Sequence, residues 1–136
     1  MQLNSHLHFN GECEAAFKFY EKCLGGKITF MMPHEGTPVA EHVPAAWRNK
    51  ILHATLMVGE QVLTGADVPP EHYRKPQGFS VMIGLKDPAE AERLFNALAG
   101  NGTVQMPLQK TFWATRFGML IDRFGVPWMI NCEKAA

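Results

Sequence analysis

Three of the chain's six histidines fall in segments that read as strands. His6 and His8 flank Leu7 in SHLHF, and His53 sits in ILHATLMV. Side chains alternate along an extended segment, so an i, i+2 pair places both imidazoles on one face. In the first segment Leu3, Leu7 and Phe9 form the apolar set, which turns His6 and His8 the other way. In the second, Leu52, Ala54, Leu56 and Val58 form the better apolar set, leaving His53 with Ile51, Thr55 and Met57. Three neutral imidazoles converging on one concave face suit a divalent metal such as zinc. They equally suit a general base, because an unperturbed imidazole titrates near neutrality. The plainer alternative is an exposed edge carrying His6 and His8, with His53 hydrogen-bonded in the core. His34, His42 and His72 fall in expected loops.

The second chemically dense stretch is FWATRFGMLIDRFGVPWMIN, residues 112–131, which holds two of the three tryptophans. Alternation in VPWMIN sends Trp128 and Ile130 to the core and Pro127, Met129 and Asn131 to the opposite face. Trp113 and Phe117, with Phe112, are expected to wall a pocket, and Trp113 is the better residue for stacking on a ligand. Phe124 and Trp128 are core candidates, each contributing on the order of 2–3 kcal/mol if buried. Asp67 and Asp122 follow strands and read as turn-forming acids. Glu12 and Glu14 suit the dipole of the helix they open. No GxSxG elbow, GxGxxG fingerprint or complete P-loop occurs.

These residues need a scaffold, and the hydrophobic period supplies one. The order strand, helix, strand, strand, strand occurs twice. The first copy runs through QLNSHLHF, the helix GECEAAFKFYEKCLGG, KITFMM, ILHATLMV and QVLTG. The second begins at FSVMIGL, whose Ser80, Met82 and Gly84 face away from the apolar side. Its helix opens at Asp87-Pro88 with Asp87 as N-cap and Glu90 placed for a capping box. Strands follow at about Thr103–Leu108, Thr115–Ile121 and Val126–Cys132. The fold class is therefore α+β, two βαβββ modules in a single domain. The modules span about residues 1–67 and 79–136, with a Pro-rich, charged linker at about 68–78. Each sheet, backed by one helix, leaves its other face free, and two such faces would enclose a cleft.

Thirteen basic residues balance thirteen acidic ones, so the chain has no electrostatic footprint for nucleic acid or an anionic membrane. Its apolar runs fall short of the ~20 residues of a bilayer span. MQLNSHLHFN lacks the flank and apolar stretch of a signal peptide. Cys13, Cys23 and Cys132 are odd in number and far apart, which fits reduced thiols and a cytoplasmic location.

The double βαβββ order resembles the vicinal oxygen chelate superfamily, which includes glyoxalase I, extradiol dioxygenases and bleomycin and fosfomycin resistance proteins. Within it, LHFNGECEAAFKFYEKCLGG, ILHATLMVGEQVLTGAD and TFWATRFGMLIDRFGVPWMIN resemble the PhnB-like branch. The resemblance implies a glyoxalase-like incomplete barrel around a cleft, with one metal held by four side chains. Those positions fall here on Asn4 or Ser5, near Leu63 or Thr64, on Ser80 and near Met129, which is not the usual metal-ligand quartet. A histidine at His53 is typical of the branch. A methyltransferase label used in the branch finds no recognisable S-adenosylmethionine site here. The expectation is a protein binding a small hydrophobic or aromatic molecule in the inter-module cleft, with His6, His8, Trp113, Phe117 and Met129 as contacts. The alternatives are an enzyme with His53 as catalytic residue in a relocated site, with or without a divalent metal, and a structural dimer. Superfamily members often pair two chains, so a homodimer is expected.

Overall fold

The computed structural model describes residues 1–134. The chain divides into two units, Met1–Arg74 and a second beginning at Lys75, a boundary inside the expected linker. Unit one contains β1 (Ser5–Phe9), α1 (Cys13–Leu24), β2 (Lys27–Pro33), β3 (Ile51–Val58) and β4 (Gln61–Asp67). Two short 3-10 turns, Pro38–His42 and Ala45–Trp47, fill the long connection between β2 and β3. Unit two repeats the order with β5 (Val81–Leu85), α2 (Pro88–Ala99), β6 (Thr103–Gln109), β7 (Ala114–Ile121) and β8 (Pro127–Glu133). No helix among the described residues is long and apolar enough to cross a membrane.

Each unit forms an open four-stranded mixed sheet, in the orders β1-β4-β3-β2 and β5-β8-β7-β6. The first strand of each unit pairs in parallel with the last, because the helix carries the chain across the sheet between them. The remaining pairs are antiparallel.

The apolar stripes of the helices decide which sheet face is covered. Ala16, Phe17, Tyr20 and Cys23 of α1 are buried against their sheet, as are Ala91, Leu94, Phe95 and Leu98 of α2. In both units a helix phenylalanine sits over a strand glycine. A Cβ built on Gly65 would come within 2.6 Å of the Phe17 ring, and one on Gly118 within 2.6 Å of the Phe95 ring. The missing side chain is what lets each helix lie close to its sheet.

The helix starts differ. Asp87 caps α2 as expected, accepting from Ala89 N at 3.1 Å. The expected capping box does not form. The Glu90 carboxylate instead takes hydrogen bonds from Arg93, one turn along the helix, at 3.0 Å from Nε. At α1 the Glu12 side chain makes no cap bond. Its place is taken by Asp67 at the far end of β4, which accepts from Cys13 N.

Candidate functional site

The strand registers settle which residues meet on the uncovered face of unit one. His6 stands opposite Thr64, Thr64 opposite Thr55, and Thr55 opposite Phe30, one row across all four strands. In the next row His8 stands opposite Ala66, and His53 opposite Met32. Opposed cross-strand residues share a face, so the three histidines meet as alternation implied. The His6 and His53 rings stack with centroids 5.7 Å apart and planes 21° apart. His8 lies edge-on to His6 at 5.3 Å, and Phe30 is tilted against His53 at 6.0 Å. Among the described residues, no group of three or more His, Cys, Asp and Glu side chains is placed to hold a metal ion.

The hydrogen bonds bear on the proton positions. His6 Nδ1 and Thr64 Oγ1 are 2.7 Å apart, and the same hydroxyl lies 3.4 Å from the Ser5 carbonyl oxygen. A hydroxyl donating to Ser5 keeps its lone pairs for an Nδ1–H of His6, which leaves Nε2 as the free base. His53 Nε2 lies 3.4 Å from Thr55 Oγ1. His6 and His8 lie on the edge strand and are exposed. Partial desolvation among its neighbours holds the His6 pKa below the ordinary imidazole value, and His8 and His53 lower it further. Near neutral pH the site therefore presents an uncharged His6 able to accept a proton.

That shift links stability to pH. Unfolding frees His6 to bind a proton at the ordinary value of 6.5. The stabilisation is complete above 6.5 and is lost as pH falls from there through the lowered native value. Denaturant titrations of wild type and His6→Gln across this range should show a shallower acid slope in the variant. Identical slopes would mean that the native His6 pKa is not lowered, either by desolvation or by His8 and His53.

On unit two the same face carries a different chemistry. Met119, Ile121, Pro127 and Met129, with Phe79 and Ser80, line an open groove of about 460 Å³. Trp113 is 47% exposed and packs edge-on to Phe117 at 5.2 Å and to Phe112 at 4.8 Å. Phe117 itself is only 7% exposed, so within this trio the accessible stacking surface belongs to Trp113 and Phe112. Further along the face Asn131 stands opposite Phe117 and Gly84. Its amide oxygen is buried with no hydrogen-bond partner among the described residues.

The remaining candidates are structural. Trp128 is 1% exposed and donates from Nε1 to Asp122 Oδ2 at 2.9 Å. Asp67, expected to form a turn, does more, joining Cys13 N and Ile51 N through its two oxygens. His34 is buried, with Nδ1 2.8 Å from the Lys50 carbonyl oxygen, and so closes the base of the long loop. Cys13 is fully buried; burial first, then Asp67 and Glu14, pushes its thiol far up, which removes it as a nucleophile. Reading segments separately did not reveal Thr64 as the partner of His6, or Met119 and Met82 as neighbours of Met129. Those relations lie in the register between strands.

The chain belongs to the glyoxalase/bleomycin resistance protein/dioxygenase superfamily, whose family model matches residues 2–130. It is similar to protein PA1353 from Pseudomonas aeruginosa, a crystal structure with 48% identity, 99% coverage of both chains and a TM-score of 0.90. It is also similar to Protein YjdN of Escherichia coli K12, at 33% identity over 98% of this chain and 97% of that one. A protein from Bacillus cereus described as a putative 3-demethylubiquinone-9 3-methyltransferase, PhnB protein, shares the fold at 22% identity and a TM-score of 0.81. That comparison covers 97% of this chain and 99% of the other.

Proposed function

We propose that this chain is a small-molecule-binding member of its superfamily that takes an apolar or aromatic ligand without the metal-ligand quartet typical of chelating members. The observation that carries the reading is the groove of unit two. Its volume of about 460 Å³ falls in the range of small-ligand sites, as does its mix of apolar walls with a few polar groups. The donors at the inferred quartet positions support it. Asn4, Ser5, Thr64, Ser80 and Met129 offer amide, hydroxyl and thioether groups, with no carboxylate or imidazole among them. Neutral donors of that kind do not fit a divalent ion, which favours anionic oxygen or imidazole ligands.

Titration with neutral aminoanthracene, followed by its own fluorescence and by tryptophan quenching, tests the proposal. Saturable binding is expected, weakened about tenfold or more in Met129→Glu, where a desolvated charge would enter the groove. Non-saturable uptake, or equal binding by a folded Met129→Glu variant, would sink it.

A second reading rests on the uncharged His6 stacked on His53. Those two residues could remove a proton from a ligand bound on unit one. Turnover of a carbonyl compound with an acidic α-proton, lost in both His6→Gln and His53→Gln, would favour that reading over binding alone.

A further inference from the structure

Every strand of the second sheet contributes a methionine, and the register sets the four in one row. Met82 stands opposite Met129, Met129 opposite Met119, and Met119 opposite Met106. Half of the chain's eight methionines thus come together from positions spread between 82 and 129. With strands about 4.8 Å apart, the row spans roughly 14 Å. Strand propensity alone favours Val, Ile and aromatic residues at such positions, so a full row of thioethers calls for another reason. Met119 and Met129 line the groove, and Met82 is 58% exposed. None of the groove's lining residues is Asp, Glu, Lys, Arg or His; Gln77, Ser80 and Gln105 are its polar members.

We propose that this methionine row selects a neutral, planar aromatic molecule whose polar substituent reaches Gln77, Ser80 or Gln105. The inference rests on the binding function above and specifies its ligand class. A thioether is polarisable and contacts aromatic rings favourably, by a factor of about two to ten per contact. Its unbranched side chain also adapts to the outline of the ring. An ionised ligand would lose water in the groove and find no opposite charge among the lining residues. A saturated ring of the same size would bury similar apolar area but forgo the sulfur–aromatic contacts.

Calorimetry with naphthol, its saturated analogue decahydronaphthol, and anionic naphthoate separates these terms. Wild-type protein should bind naphthol at least about fivefold more tightly than either of the others. Met119→Leu/Met129→Leu conserves apolar volume and fold, and should lose about threefold to tenfold for naphthol with little change for decahydronaphthol. Equal affinities for naphthol and decahydronaphthol, or a naphthol preference unchanged in the double variant, would overturn the thioether selection while leaving small-molecule binding intact. Tightest binding of naphthoate would overturn the requirement for neutrality. Failure of the wild-type protein to bind any of the three would overturn the binding function itself, and this inference with it.

Discussion

Asp67→Ala is expected to destabilise unit one by about 3–5 kcal/mol, since two charge-assisted hydrogen bonds of about 1.5–3 kcal/mol each disappear together. The Asp67 side chain is 4% exposed at the end of β4. Its Oδ1 accepts from Cys13 N at 2.9 Å, and its Oδ2 from Ile51 N at 2.8 Å. Cys13 is the first residue of α1 and Ile51 the first of β3, so one carboxylate ties the helix start to two strands. Alanine would leave both amides buried and unpaired. It would also take a negative charge from the positive end of α1. Asp67→Asn keeps one acceptor oxygen but turns an NH₂ group toward the other donor, so an intermediate loss is expected. Urea unfolding of the three proteins gives the test. A loss below about 1 kcal/mol for Asp67→Ala would mean that water or another acceptor already serves these amides.

The βαβββ repeat was legible because the hydrophobic period changes from two to that of a helix and back within each copy. The helix ends were legible only where the chemistry is local. Asp87 lies beside the amide it caps, whereas Asp67 is 54 residues from the amide it serves, beyond the reach of local pattern. Glu90 shows the opposite failure. The capping-box spacing was present, but Arg93 competes for the same carboxylate from one turn away and takes it.

On the candidate faces, alternation sorted residues correctly where strands are regular. Ala54 and Leu56 are buried while His53 and Thr55 are only partly so, and Trp128, Ile130 and Cys132 are buried on β8. At the ends of β3 alternation fails, since Ile51, expected on the free face, is buried, and Leu52 and Val58, expected in the core, are only half-buried. Which residues become neighbours was not legible, because register depends on irregularities invisible in a single segment. One separates Ile28 from Phe30 on β2 and helps bring Phe30 opposite Thr55. Two more flank Met106 and bring it opposite Met119. The histidine cluster needed only alternation on two strands. The methionine row needed four strands in register, so sequence exposed its members without their alignment.

Asp122→Ala should cost about 4–5 kcal/mol, because this buried carboxylate satisfies both a turn and an aromatic anchor. At 3% exposure, Asp122 accepts on Oδ1 from Phe124 N at 2.8 Å and Val126 N at 3.1 Å. Its Oδ2 accepts from Trp128 Nε1 at 2.9 Å. The backbone completes the turn: Asp122 N donates to Val126 O at 2.9 Å, and Gly125 N to Asp122 O at 3.0 Å. Gly125 has φ of 87°, a left-handed conformation that a side chain would strain. Without the carboxylate, the turn amides and the indole N–H lose their acceptor at once. A double-mutant cycle with Trp128→Phe separates the turn from the anchor. That variant retains most of the ring burial but removes the indole donor, so the pair should be non-additive by about 1–2 kcal/mol. Additivity would place the role of Asp122 in the turn alone and leave Trp128 held by packing. A clear coupling would show that the turn acid also orients the indole in the core beneath β8. That layer supports Met129 on the opposite face, so Asp122→Ala should blunt the proposed ligand binding as well as stability even though Asp122 does not line the groove.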